Sequence, residues 1–217
     1  TNCYSMLSNV LPNKRRFHLS LLLLMAFLAS GCTTTPEPPP VADPTQTWQQ
    51  RQPELAAIKA WRLSGRVAVS QGDEAWNLNM EWQQNGDNYE IQLHGPFGAG
   101  RVRLIGNANG VILQDSDDQS FYADHPEILL YERTGVHMPV DGLRYWIVGL
   151  TSPTQTSQPR LDTQGRLAYL EDTDWKVKFK RYVSVSGIQL PGKVFIVKPE
   201  QEIDVRLVVD EWKLGAY

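Results

Sequence analysis

Residues 75 to 82, "AWNLNMEW", set Trp76, Leu78, Met80 and Trp82 on one side of the chain and Asn77, Asn79 and Glu81 on the other. That is the period of two expected of a strand with one face buried. The same alternation recurs in "YEIQL" (Tyr89, Ile91, Leu93), "RVRLI" (Val102, Leu104), "WKVKF" (Trp175, Val177, Phe179) and "EIDVRLVV" (Ile203, Val205, Leu207, Val209). Turn signals separate the runs: "QGD" at 71, "NGD" at 85, "NANG" at 107, "TQG" at 163 and "LPG" at 190. The pattern predicts a meandering antiparallel sheet of roughly ten or eleven strands, apolar on one face.

Three segments break this period. Residues 47 to 61, "TWQQRQPELAAIKAW", put Leu55, Ile58 and Trp61 near helical spacing and predict an N-terminal helix. Residues 123 to 135 and 141 to 150 read as short helices, with Asp124 or Asp141 as an N-cap and glycine following each C-terminus. A long sheet with one apolar face must curl on itself or take the helices as a lid. Two interiors satisfy the pattern. One is a filled core; the other is a barrel-like sheet only partly filled, lined by Trp76, Leu78, Met80, Trp82, Ile91, Leu93, Trp175 and Phe179, a bulky, soft surface suited to lipid.

The N-terminal third follows other rules. "KRR" at 14 to 16 precedes "LSLLLLMAFL" (19 to 28), an apolar run about half the roughly 20 residues needed to span a bilayer. It ends in "LASGC" at 28 to 32. Basic region, short apolar stretch and small residues before a cysteine describe a secretory signal peptide over 1–31 with a lipobox, making Cys32 the acylated N-terminus of the mature chain. The alternative is a signal peptide cut elsewhere, leaving Cys32 unmodified. Met6 is a candidate start within this segment. "TTTPEPPPVADPTQT" follows, and residues 32–47 are expected to form a disordered Pro/Thr-rich tether. The folded domain is then expected over 48–217. The two or three acyl chains of a lipoprotein cysteine hold a protein stably on a membrane without spanning it. Thr33 lacks the acidic character that would signal inner-membrane retention, so outer-membrane anchorage is expected, facing the periplasm.

Charge and chemistry narrow the function. Loss of Lys14, Arg15 and Arg16 with the signal would leave 18 of 21 basic residues against 24 acidic ones, a formal charge of −6. That balance argues against nucleic acid. Cys3 would also be removed, leaving no second cysteine for a disulfide. His94, His125 and His137 have no paired spacing for a metal, and no Gly-x-Ser-x-Gly elbow is present. "DSDD" (115 to 118) lacks downstream calcium ligands and reads as a solvated turn. No metal, cofactor or enzymatic activity is expected.

The loop "HGPFGAG" (94 to 100) joins two strand runs and carries one bulky apolar residue, Phe97. It has the composition of a phosphate loop but opens no helix, which that mechanism requires. Together with the lipobox and "MPVDGLRYWIVGL" (138 to 150), it resembles the outer-membrane lipoprotein-receptor family LolB over most of the mature chain. "LRYWIVGL" is the most specific stretch. The resemblance implies an open antiparallel half-barrel of about eleven strands with helices as a lid over an apolar cavity. It also implies a monomeric receptor that takes lipoproteins from the periplasmic carrier LolA and releases them into the inner leaflet of the outer membrane. Its partners would be LolA, the cargo's acyl chains and outer-membrane phospholipid. In the family a large aliphatic residue, usually Leu, projects from the corresponding loop and serves release; Phe97 holds that position here.

Physical magnitudes fit such a receptor. Exposing about fifteen methylenes of an acyl chain to water costs on the order of 12 kcal/mol at ~0.8 kcal/mol each, so cargo must pass between apolar mouths. Burying one Phe yields roughly 2 to 3 kcal/mol, enough to align a tethered protein on a bilayer but not to hold it there. Phe97 either points outward to do this or folds back on the sheet as a plug. The competing function is a structural lipoprotein with a filled core, binding cell-wall glycan or an outer-membrane assembly; a lipid-modifying hydrolase ranks third.

Overall fold

The computed structural model of the protein describes residues 39–98, 100–153 and 158–215. Cys32, the expected signal segment and the expected tether up to residue 38 lie outside the described residues. Residues 39–217 form one compact unit. Its strands are β1 (Ala60–Gln71), β2 (Glu74–Asn85), β3 (Asn88–His94), β4 (Val102–Asn107), β5 (Gly110–Gln114) and β6 (Ser120–Ala123). After the helices come β7 (Arg160–Leu161), β8 (Leu167–Asp172), β9 (Trp175–Val185), β10 (Ile188–Lys198) and β11 (Ile203–Leu214).

The eleven strands among the described residues join one antiparallel sheet in the order β6-β5-β4-β3-β2-β1-β11-β10-β9-β8-β7. Sequence neighbours pair along β1 to β6 and along β7 to β11, and β1 also pairs with β11, which joins the two halves of the meander. The edges β6 and β7 do not pair with each other, so the sheet remains open. The alternation read from sequence is the alternation of burial: Val67, Val69, Met80, Trp82, Ile91, Leu93, Leu104, Val177, Val194, Ile196, Val205 and Leu207 are all buried.

Among the described residues, three α-helices accompany the sheet: α1 (Pro44–Ala56), α2 (Pro126–Thr134) and α3 (Val140–Trp146). α1 starts ahead of the expected boundary at Trp48. Asp43 Oδ1 accepts hydrogen bonds from the backbone N–H groups of Thr45 and Gln46 at 2.9 and 3.0 Å, and Pro44 takes the first helical position, where its missing N–H costs nothing. Residues 39–43 also belong to the fold and not to a loose tether. The Val41 N–H donates to Thr163 O at 2.8 Å, and Gln164 Nε2 donates to Pro39 O at 2.7 Å.

Other expectations are corrected. Ile58 and Trp61 lie beyond α1, and Trp61 is an inward residue of β1. "LPG" at 190 is no turn; it sits inside β10, where the register with β9 shifts around Pro191 and Lys193. A proline there donates no ladder bond and is tolerated at such an irregularity; the chain reverses instead at Ser186 and Gly187. His125 takes the N-cap position of α2 and Pro139 that of α3, neither with a side-chain cap bond, so neither Asp124 nor Asp141 is the cap.

The filled part of the interior lies at the β2–β3 turn end. Trp61 packs against Trp82 and Trp212, with ring centroids 5.4 and 5.3 Å apart, and Trp82 lies 6.5 Å from Tyr89. Trp82 Nε1 donates to Gln84 Oε1 at 3.0 Å, and Gln84 Nε2 donates to Gly86 O at 2.8 Å, so these two buried side chains are partnered. Tyr89 lies directly over Gly106 of the neighbouring strand, where a Cβ would stand 2.1 Å from the ring. Leu143, Trp146 and Ile147 are fully buried, and Arg144 of α3 pairs with Asp87 of the β2–β3 turn at 2.9 Å.

Candidate functional site

The opposite end of β2 and β3 is not filled. There the inward side chains Trp76 and Leu78 of β2, Leu93 of β3 and Val102 of β4 form one wall of a cavity of about 500 Å³. Leu130, Arg133 and Thr134 of α2, with Val136 beyond it, form the cover. The helix ends cleanly: Gly135, at φ +73°, donates its N–H to Tyr131 O at 2.8 Å. Such a left-handed stop is what glycine provides. A Cβ at Gly135 would stand 3.5 Å from the Trp76 ring, so the end of the cover rests on the sheet's open-end tryptophan. The volume lies within the roughly 300–1,000 Å³ of small-molecule sites.

Polar groups gather at the rim. Gly100 and Arg101 of the 95–101 loop line it, as do Asp115 and Ser116 of the β5–β6 turn. Asp115 Oδ1 accepts from the N–H groups of Asp117 and Gln119, both at 2.9 Å, closing the "DSDD" turn on itself. The Arg133 guanidinium lies 3.6 Å over the Phe121 ring, and His137 stacks on Tyr131 at 3.9 Å. Burial, and after it the Lys198 charge, holds His137 below the ordinary imidazole range. At the start of the cover, burial and then the Asp141 charge push the Glu127 carboxyl up to about 7.

Phe97, three residues before Gly100 in the same loop, points outward. It is fully exposed, at 108 % of its reference area, while Gly95 beside it is buried. The Gly98 N–H donates to Gly95 O at 3.1 Å, closing a tight turn with Pro96 second and Phe97 third. Phe97 has φ +59° and ψ +21°, a left-handed conformation that a bulky residue adopts only at a cost. The folded-back plug is therefore not the arrangement present.

The eight side chains expected to line a cavity share one face but not one environment. Trp76, Leu78 and Leu93 line the open end. Met80, Trp82 and Ile91 are buried away from that cavity and belong to the packed interior. Trp175 and Phe179 lie on β9, across the sheet, where Trp175 carries Lys198 Nζ 5.5 Å over its ring and Phe179 stacks on Tyr182 at 6.2 Å. Leu130, Arg133, Thr134 and Val136 also line it and escaped sequence reading, since nothing in the short helix or just after it names a partner face; Val102 carries the strand alternation, which reports its face and not its place on the cavity.

These features define a class: an open, one-faced antiparallel sheet holding an apolar cavity under helices, with an aromatic-tipped loop at the mouth. Solved structures share the fold. A LolA superfamily protein from Nitrosomonas europaea superposes with a TM-score of 0.52 at 10 % identity, over 81 % of this chain and 96 % of that one. A DUF1329 family protein from Desulfovibrio piger also superposes with a TM-score of 0.52, over 80 % and 94 %.

Sequence narrows the class. The family model described as outer membrane lipoprotein LolB matches residues 59–212, and the chain belongs to that family. Among its relatives, the outer-membrane lipoprotein LolB of Nitrosococcus oceani is 40 % identical over 91 % of this chain and 98 % of its own length. Those of Alkalilimnicola ehrlichii and Pseudomonas aeruginosa are 37 % and 32 % identical over 93 % and 91 % of this chain. Outer-membrane location and a lipoprotein-receptor role accord with this membership, and no helix among the described residues is long and apolar enough to cross a membrane.

Proposed function

We propose that the protein takes acylated lipoproteins from the soluble periplasmic carrier LolA, holds their acyl chains in the cavity under α2, and releases them into the inner leaflet of the outer membrane while anchored through Cys32. The observation that carries this reading is the juxtaposition of an apolar cavity and a fully exposed Phe97 on one loop: Gly100 and Arg101 line the cavity, and Phe97 points to solvent a few residues earlier. A chain of about fifteen methylenes stays out of water only by direct passage between apolar surfaces, since exposure costs on the order of 12 kcal/mol. Phe97 entering the headgroup boundary would bring the cavity rim to the leaflet. Direction then follows from the relative fit of successive apolar sites, as transfer down a gradient of affinity needs no nucleotide. Trp76, Leu78 and Leu93 are the acyl-contacting residues in this reading.

The test is uptake of a lipoprotein from purified carrier by the domain lacking its anchor. Uptake by the parent and loss in Leu93→Glu, which places a charge on the cavity wall, support the reading. Equal uptake by both would overturn the cavity assignment, and no uptake by a folded parent would favour a scaffolding lipoprotein.

A further inference from the structure

The outward face of the sheet carries a second unusual surface. Phe195 on β10 stands in register between Lys178 of β9 and Arg206 of β11. The Lys193 and Lys180 amino groups lie 5.1 and 5.9 Å from its ring centroid, and the Arg206 guanidinium 5.7 Å. Asp204 pairs with Arg206 at 3.0 Å. Among the described residues, Lys178, Lys180 and Lys193 have no carboxylate at ion-pair distance. A chain with a formal charge of −3 thus gathers unneutralised lysines around one aromatic ring. Like charges drawn together repel unless an anion faces them.

A shallow groove of about 480 Å³ leads from this cluster across β11, β1 and β2. Its floor includes Ala68, Asn77, Asn79 and Val208; Lys193, Phe195 and Arg206 border one side, and Pro96 borders another. Pro96 immediately precedes Phe97. The 95–101 loop therefore separates the inner cavity, which Gly100 and Arg101 line, from the outer basic groove.

We propose that this basic strip is a second membrane contact, binding the phosphate-bearing headgroups of anionic phospholipids and fixing the tilt at which the cavity mouth meets the leaflet. It rests on the reading of Phe97 as the inserting residue, which decides the side that faces the bilayer. Lysine ammonium groups act as point charges toward phosphate, and basic side chains near an anionic surface add to binding one by one within a Debye length.

The experiment uses residues 39–217, which contain the whole sheet and its core and lack the anchor, in sedimentation with vesicles of phosphatidylethanolamine alone or mixed with phosphatidylglycerol. The parent is expected to bind the anionic vesicles more tightly and to lose that preference with added salt. Lys178→Gln, Lys180→Gln and Lys193→Gln combined should weaken anionic binding about a hundredfold, at about fivefold per lysine, with an unchanged melting temperature. Phe97→Glu should weaken binding to both vesicles and keep the anionic preference. Equal parental binding to the two vesicles, or a triple variant that binds like the parent, overturns the strip. So does a triple variant that binds vesicles normally but no longer docks the carrier, which would assign the strip to an acidic protein surface. If Phe97→Glu binds normally while the triple variant loses its preference, the strip stands and the Phe97 reading falls.

Discussion

The Gly98 N–H donates to Gly95 O at 3.1 Å, and the turn that this bond closes holds Phe97 at φ +59° with its ring in solvent. Glycine is the usual occupant of such a position, because a Cβ there crowds the backbone. A phenylalanine in that conformation, buried against nothing, contributes strain of about 1 to 3 kcal/mol and no packing.

Phe97→Gly should therefore melt at or above the parent temperature. Relief of about 1 kcal/mol corresponds to roughly 2 to 4 °C for a domain of this size, readable by circular dichroism. The same variant should deliver less cargo to membranes. A fall in melting temperature would mean that the ring packs in the folded protein.

The divided interior predicts unequal costs along one strand face. Trp82, 1 % exposed and packed between Trp61 and Tyr89, should lose about 3 to 5 kcal/mol on truncation to alanine. Leu78, on the same face of β2, borders space that is already open. Leu78→Ala should cost nearer 1 kcal/mol, since it widens a cavity instead of making one. Urea unfolding of the two variants separates the filled end from the open end.

The cover should respond to pH through Glu127. Burial and the Asp141 charge raise its carboxyl to about 7 from an ordinary 4.5, so the folded protein keeps a proton that the unfolded chain has released. The stabilisation is full below the ordinary value and is lost as pH rises through about 7. The swing is at most about 3 kcal/mol. A hydrogen bond from the Asp141 backbone and, after it, the Lys198 charge oppose the shift. Stability of the parent should fall between pH 5 and 8, while Glu127→Gln should be flatter over that window; urea midpoints across pH decide it.

The sheet was legible because an antiparallel sheet with one buried face writes its alternation directly into sequence, as in Trp76 to Trp82. Alternation reports the face and not the end. Trp76 and Trp82 are therefore indistinguishable in sequence, although one borders the cavity and the other fills the core; the difference arises from where α3 and the Trp61–Trp212 pair pack. Trp61 misled because its distance from Ile58 fits a helix as well as its step to Leu63 fits a strand. The earlier start of α1 had a readable signal in Asp43 followed by Pro44, a cap and a favoured first position. The internal Pro191 had none, since "LPG" is ordinarily a turn and only the sheet's register makes it an irregularity. Phe97 was legible as an anomaly, a lone aromatic among glycines, while its outward direction needed coordinates.

The measurement that bears most directly on the central claim is lipoprotein delivery to liposomes by Phe97→Glu, with uptake from the carrier followed in the same assay. Forfeiting roughly 2 to 3 kcal/mol of apolar burial lowers the membrane-engaged population by a factor of about 30 to 150. The account predicts a folded variant that accepts cargo at the parental rate and keeps it. Delivery at the parental rate would contradict it.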